Sequence, residues 1–227
     1  MGTILTVASG KGGCAKTTTC ILLAANLAAA GYRVAAIDAD RSRSLMFWHE
    51  TTYEGPAFPC VSETDHIKVV DVASQLAETH DVVIVDTAGF ENLTAASAMG
   101  MADFVLVPCI PDRATVLESI KAAHQLASIS KASRRDIPYS VLPSRWKAKG
   151  LTERAALDML HDAQLVVMET TISSLSDMPK ASFSGVVPTG GKLGEQASRL
   201  IAELIGKGAI PTMPSSSPAL ASPEAAA

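Results

Sequence analysis

Apolar residues along this chain fall into two alternating patterns. Short, nearly continuous runs of β-branched and small apolar residues occupy 3–8, 33–38, 82–86, 104–108, 137–142, 165–168 and 185–187. Runs of that length without polar alternation predict strands buried on both faces of a parallel sheet. Between them, 16–30, 67–79, 115–130, 151–161 and 193–205 have helical length and apolar residues at helical spacing. Alternation of the two predicts an α/β fold with a mostly parallel, twisted sheet and helices on both faces. No segment repeats internally.

Composition narrows this to one domain. Of 227 residues, 48% are hydrophobic and 19% charged, enough apolar material for one sizeable core. We place that domain at 1–208 and expect 209–227, rich in Pro, Ser and Ala with no basic residue, to be a disordered tail. The uncharged stretch 17–32 contains Asn26 and several Thr and is shorter than the roughly 20 residues of a membrane span. Met1 leads almost directly into a strand, so no signal peptide is expected. Cys14, Cys20, Cys60 and Cys109 form no CxxC pair, which fits a reduced, cytoplasmic chain better than a disulfide scaffold.

Charge changes the picture in one respect. The formal net charge is −4, which argues against a protein that coats nucleic acid by overall charge. The balance is uneven: residues 1–120 hold 7 basic and 14 acidic side chains, whereas 121–207 hold 12 and 8. Any nucleic-acid contact therefore falls to a local patch in the second half. Arg145, Lys147, Lys149, Arg154, Lys192, Arg199 and Lys207 are the candidates for such a stripe, and a merely solvated face is the competing reading.

The chemistry is concentrated at the first strand-to-helix junction. Gly10, Lys11, Gly12, Gly13, Cys14, Ala15, Lys16, Thr17 and Thr18 follow a predicted strand and open a predicted helix, the context a phosphate-binding loop requires. Glycines let backbone N–H groups turn toward phosphate oxygens, Lys16 can reach the β- and γ-phosphates, and the Thr17 hydroxyl can ligate Mg²⁺. Ala15 stands where the usual pattern has Gly; its methyl is tolerated if the residue keeps a negative φ, and nucleotide binding is expected to survive. Asp38 and Asp40 end the second strand, where ordinary turn chemistry is the alternative. Asp86 ends a wholly apolar strand at the carboxyl edge, where α/β proteins bind ligands.

The second loop lysine makes the pattern specific. Lys11 to Thr18 resembles the deviant Walker A motif of the ParA/MinD ATPase family, Asp38-Ala39-Asp40 its first switch, and Val83 to Gly89 its Walker B strand and second switch. The resemblance covers roughly 3–112 and implies a P-loop NTPase fold that hydrolyses ATP with Mg²⁺. It further implies that Lys11 reaches phosphates held by the other subunit of an ATP-dependent homodimer, that Asp40 positions the attacking water, and that Asp38 and Asp86 organise Mg²⁺ through its waters. Arg41-Ser42 replaces the Pro-Gln that often follows the second aspartate, a departure that bears on switch geometry and turnover.

Within the family, no helix-turn-helix region precedes the loop, the tail is not a basic amphipathic helix, and the cysteines do not form the paired ligands of an iron–sulfur carrier. The chain is thus most similar to the small, ParF-like partition ATPases. That similarity implies non-specific DNA binding at the nucleoid, DNA segregation, hydrolysis stimulated by a ParB/ParG-type centromere-binding partner, and no membrane attachment. A positioner of protein cargo, a DNA-transfer accessory protein, a nucleotide-gated binding module with negligible catalysis and a membrane-cycling septum regulator are the alternatives.

Overall fold

The alternating runs become a seven-stranded sheet in which every strand pair is parallel. The structure is a computed structural model and describes residues 1–89, 92–147, 149–173 and 177–213. In chain order its elements are β1 (Thr3–Val7), α1 (Lys16–Ala29), β2 (Val34–Ala39), α2 (Ser44–Thr51), β3 (Cys60–Ser62), α3 (Lys68–Thr79), β4 (Val82–Thr87) and α4 (Leu93–Met101). There follow β5 (Phe104–Cys109), α5 (Arg113–Ser133), β6 (Tyr139–Trp146), α6 (Leu151–Asp162), β7 (Ile172–Ser173), α7 (Asp177–Ser184) and α8 (Gly191–Gly206). The sheet runs β3-β2-β4-β1-β5-β6-β7.

Successive strand residues point to opposite faces, and the core divides accordingly. Leu5, Val7, Val82, Ile84, Phe104 and Leu106 pack with α1, α2, α7 and α8. Their neighbours Ile4, Val83 and Val85 join α3 and α4, while Val105 and Val107 join α5 and α6. Both faces of the central strands are covered, which is why their runs are continuous rather than alternating. α1 lies under the sheet with Leu22, Leu23 and Leu27 buried, so the helix that starts at the phosphate loop is among the most firmly packed elements.

Three expectations are corrected. Residues 185–187 do not form a strand: α7 ends there, Gly185 closes it at φ +70° with its N–H on the Ala181 carbonyl, and the Glu54 N–H binds the Gly185 carbonyl. Residues 165–168 reach the sheet only as an isolated bridge, Val167 with Val141, and the edge strand proper is Ile172–Ser173. The domain also extends past 208, because Ala209 and Ile210 are buried in the core and the Tyr32 hydroxyl donates to the Pro211 carbonyl at 3.0 Å. The remainder of the predicted tail, 214–227, lies outside the described residues.

Candidate functional site

The parallel sheet sends β1, β2 and β4 to one carboxyl edge, and the loop, Asp38 and Asp86 meet there. Residues 8–15 link β1 to α1, whose N-cap, Ala15, offers no side-chain cap. The first N–H groups of α1 are therefore left for an external acceptor. Gly13 has φ +79°, and a Cβ at Gly12 or Gly13 would meet nothing within 4 Å, so the space beside both glycines is open. Gly89 closes in from the other side: a Cβ there would lie 3.4 Å from the Gly10 carbonyl oxygen.

Ala15 departs from expectation. Its φ is +78° rather than negative, so the backbone keeps the left-handed turn that glycine would adopt and the alanine bears the strain, about 1–2 kcal/mol. Ala15→Gly removes that strain but adds unfolded-chain entropy of about 0.5–1 kcal/mol. We expect a net stabilisation of up to about 1 kcal/mol, read as a raised denaturation midpoint of the nucleotide-free protein.

Within the loop the polar groups satisfy one another. The Lys11 carbonyl accepts from Lys16 Nζ at 3.2 Å and from Cys14 Sγ at 3.0 Å, and Ser9 Oγ hydrogen-bonds Cys14 Sγ. Cys14 is fully buried and serves as a small packing and hydrogen-bonding group. Lys11 Nζ sits 3.4 Å from Asp112 Oδ1, in an ion pair whose side chains are 45% and 39% exposed. Asp112 is itself the N-cap of α5, accepting from the Thr115 N–H at 3.0 Å. Lys11 is thus held loosely at the mouth of the loop, free to exchange partners. Thr17 and Thr18 are half-buried in the first turn of α1.

The acidic residues divide by environment. Asp38 and Asp86 are register partners across β2 and β4, both buried. Asp38 accepts the Met46 N–H at 2.9 Å and the Asp40 N–H at 3.1 Å, which ties the end of β2 to the first turn of α2. Burial raises its carboxyl above the usual range, opposed by those N–H groups. Asp40, half-buried, accepts the Ser42 N–H at 2.9 Å; it sits in an ordinary Asx turn as well as at the site.

Asp86 is 1% exposed and neither carboxylate oxygen completes a hydrogen bond among the described residues. Burial, followed by the charges of Asp38 and Asp40, pushes its carboxyl up to about 7, although the nearby Thr17 hydroxyl and Lys16 hold it down. A buried, unpartnered carboxylate beside a threonine hydroxyl at an open loop fits a hydrated divalent cation. No cluster of three or more His, Cys, Asp or Glu able to hold a metal exists among the described residues. An ion here would draw most of its ligands from water and phosphate, as Mg²⁺ does.

A cavity of about 500 Å³ adjoins the loop. Its lining includes Ala15 and Thr18 from the loop and α1, Ser144 and Arg145 at the end of β6, and Ile172, Met178 and Pro179. Only Ala15, Thr18 and Arg145 among these were singled out from sequence. The others carry no motif; the signal that could have found them is topological, the carboxyl end of the strand two places from β1.

The seven basic candidates do not form one stripe. Arg145, Lys147, Lys149 and Arg154 cluster where β6 runs into α6, all exposed. Lys192, Arg199 and Lys207 are also exposed but spread along α8 and just past its end, a helix spanning about 24 Å at 1.5 Å per residue. Lys207 borders Phe104 and Pro138, at the amino ends of β5 and β6, the opposite edge of the sheet from the loop. No helix among the described residues is long and apolar enough to cross a membrane.

Comparison with known proteins agrees with this geometry. The model of the VirC1 protein family matches residues 2–188. Protein ParA of Rhizobium radiobacter is 30% identical over 139 residues, 61% of this chain and 63% of the relative, so the chain spans just under two thirds of that protein. Protein virC1 of Rhizobium rhizogenes is 28% identical over 170 residues, 72% of this chain and 74% of the relative. The solved ATP complex of a Cyanothece McdA variant superposes with a TM-score of 0.78 at 17% identity, over 94% of this chain and 99% of that one. The P-loop ATPase fold of the ParA/MinD type is thereby shown, and the extent of the family match shows that the chain belongs to the VirC1 protein family.

Proposed function

We propose that the chain is a Mg²⁺-dependent, nucleotide-gated ATPase that dimerises on ATP, binds DNA without sequence preference and releases it on hydrolysis, in the service of DNA segregation. The observation that carries the reading is the convergence at one sheet edge of an open phosphate loop with two lysines and a buried, unpartnered Asp86. The loop N–H groups and Lys16 bind the phosphates, and Thr17, Asp38 and Asp86 hold the ion and its waters. A divalent ion held by those residues would supply charge neutralisation at the phosphates. Asp40 aligns the attacking water, since phosphoryl transfer asks mainly for alignment and charge stabilisation.

Lys11 gives the gate. It leaves Asp112 for phosphates in the second subunit, so a triphosphate is fully neutralised only in the dimer. Dimerisation then doubles the Arg145–Arg154 cluster, and counterion release makes its DNA binding salt-sensitive. A partner of the ParB/ParG type accelerates an intrinsically slow turnover, which is how related switches receive an arginine in trans. The nucleoid is the expected location.

The test is binding to a random-sequence duplex with ATP, ADP or no nucleotide at two salt concentrations. ATP-selective binding that weakens steeply with salt and disappears in Lys11→Ala supports the reading. Undiminished ATP-dependent dimers in Lys11→Ala would exclude the dimer step. Absence of DNA binding in every state would point to protein cargo.

A further inference from the structure

A second cavity, of about 400 Å³, opens at the amino ends of β5 and β6, the sheet edge opposite the phosphate loop. Phe104, Ile137, Pro138 and Val166 give it a mainly apolar lining. Ser140 belongs to the same lining, is 0% exposed, and its hydroxyl completes no hydrogen bond among the described residues. Side chains alternate along β6, and Leu142, two residues on, packs into the layer that contains α1 and α8. Ser140 therefore points toward that layer, as do Phe104 and its own register partner Leu106. Its hydroxyl is aimed at the side of the sheet where Lys207, just past the end of α8, borders the cavity.

A buried hydroxyl without a partner costs free energy. An apolar residue at 140 would continue the pattern of Leu106 and Leu142 without that cost, so packing does not account for the serine. Asp136 and Lys207 stand at the cavity, both exposed and neither in an ion pair among the described residues. Their charges are opposite, so the lining as a whole favours neither anion nor cation. We propose that this cavity is a binding site for a small, uncharged, largely apolar molecule that carries one hydroxyl. The ligand's hydroxyl pairs with Ser140 Oγ and its apolar body lies against Phe104 and Val166. The volume suits such a ligand, and one polar group in an apolar lining is how small-molecule sites fix orientation. The site is separate from the phosphate loop, and its occupancy does not depend on nucleotide.

The test is an NMR titration of the full chain, without nucleotide, with phenol, toluene and benzoate, read at the amides of Ser140 and Val166. Phenol and toluene share an outline and differ in a hydroxyl against a methyl, whereas benzoate adds a charge. Ser140→Ala deletes the hydroxyl, and Val166→Trp fills the cavity from a residue that is 48% exposed. Ser140→Ala should melt at or above the wild type, because it removes the unpartnered group. We expect saturable phenol binding that Ser140→Ala weakens about five- to tenfold, with toluene bound at least as tightly as before. Comparing the two probes across the two proteins cancels each probe's own hydration. Val166→Trp should abolish binding of both, and benzoate should bind more weakly than phenol. An equal change for phenol and toluene in Ser140→Ala would overturn the hydroxyl contact, and this comparison decides even where Val166→Trp does not fold. Tighter binding of benzoate would overturn the uncharged class in favour of an anion on Lys207. Phenol binding retained by a folded Val166→Trp, or shifts that never saturate in the wild type, would overturn the site itself.

Discussion

Lys16→Ala is expected to lower ATP turnover by about 10³-fold, with all ATP-dependent dimerisation and DNA binding lost alongside it. In the nucleotide-free protein Lys16 Nζ is occupied by the Lys11 carbonyl at 3.2 Å and Ser9 Oγ at 3.5 Å. These are contacts of a half-buried side chain with neutral acceptors, so their loss should change folding stability by no more than about 0.5–1.5 kcal/mol. In the proposed site the same ammonium would exchange a carbonyl for phosphate oxygens, and a charge-assisted contact strengthens as negative charge gathers on the transferring group. The variant should therefore melt close to the wild type without ligand yet gain little thermal shift from ATP. Rapid turnover by Lys16→Ala, measured as phosphate release, would exclude the assigned site. A normal ATP-induced shift in melting temperature would exclude the binding role alone.

The same residue shows why some of the molecule is legible in its sequence and some is not. β1, β4 and β5 are predominantly apolar runs, and the structure supplies the cause: Val82 and Ile84 face one helical layer while Val83 and Val85 face the other. Such strands have no solvent-facing side, so their sequence reports burial directly. The loop is equally legible, because glycine freedom and a lysine at fixed spacing are local requirements. What escapes is set by partners distant in sequence. α2 is eight residues long and held by Asp38 and by Trp48 Nε1 on the Ala181 carbonyl; nothing in its own periodicity announces it. β3 and β7 are edge strands of three and two residues, too short to carry a pattern. Residues 185–187 read as a strand because Val186 and Val187 are β-branched, whereas Gly185 is in fact the left-handed closure of a helix. Ala15 failed for the opposite reason: the loop's geometry overrides the residue's own preference, and alanine adopts the conformation a glycine would have had. The basic stripe failed because linear clustering ignores that α8 carries Lys207 to the far edge of the sheet.

Asp86→Asn should separate stability from activity. The wild-type carboxyl is buried, completes no hydrogen bond among the described residues and is displaced to about 7 by burial first, with Asp38 and Asp40 adding repulsion and the nearby Thr17 hydroxyl and Lys16 opposing it. Its folded-state value lies above that of the unfolded chain, about 3.9. The folded protein therefore binds the proton more tightly, and stability from this group is present in acid and lost as pH rises from about 4 through about 7. A displacement of that size corresponds to about 4 kcal/mol withdrawn by pH 8. Asparagine has no charge to desolvate, although its unpartnered amide costs about 1–3 kcal/mol. Without ligand, the variant is expected to be more stable than the wild type at pH 8 and no more stable at pH 5, with a flatter dependence between. A wild type whose unfolding free energy did not fall across that range would refute the buried charge. Mg²⁺ and ATP should then reverse the order. In the proposed site the ionised carboxylate would hold the ion's water shell, and ligand at 100 times its Kd adds about 2.7 kcal/mol to the form that binds it. Lys16 participates in the same balance, since its charge helps keep Asp86 ionised. Turnover of Asp86→Asn should fall by about 10²–10³ even though its fold has gained stability. On the proposed reading, the desolvation that makes the Asp86 charge unfavourable on its own is offset when a cation binds beside it.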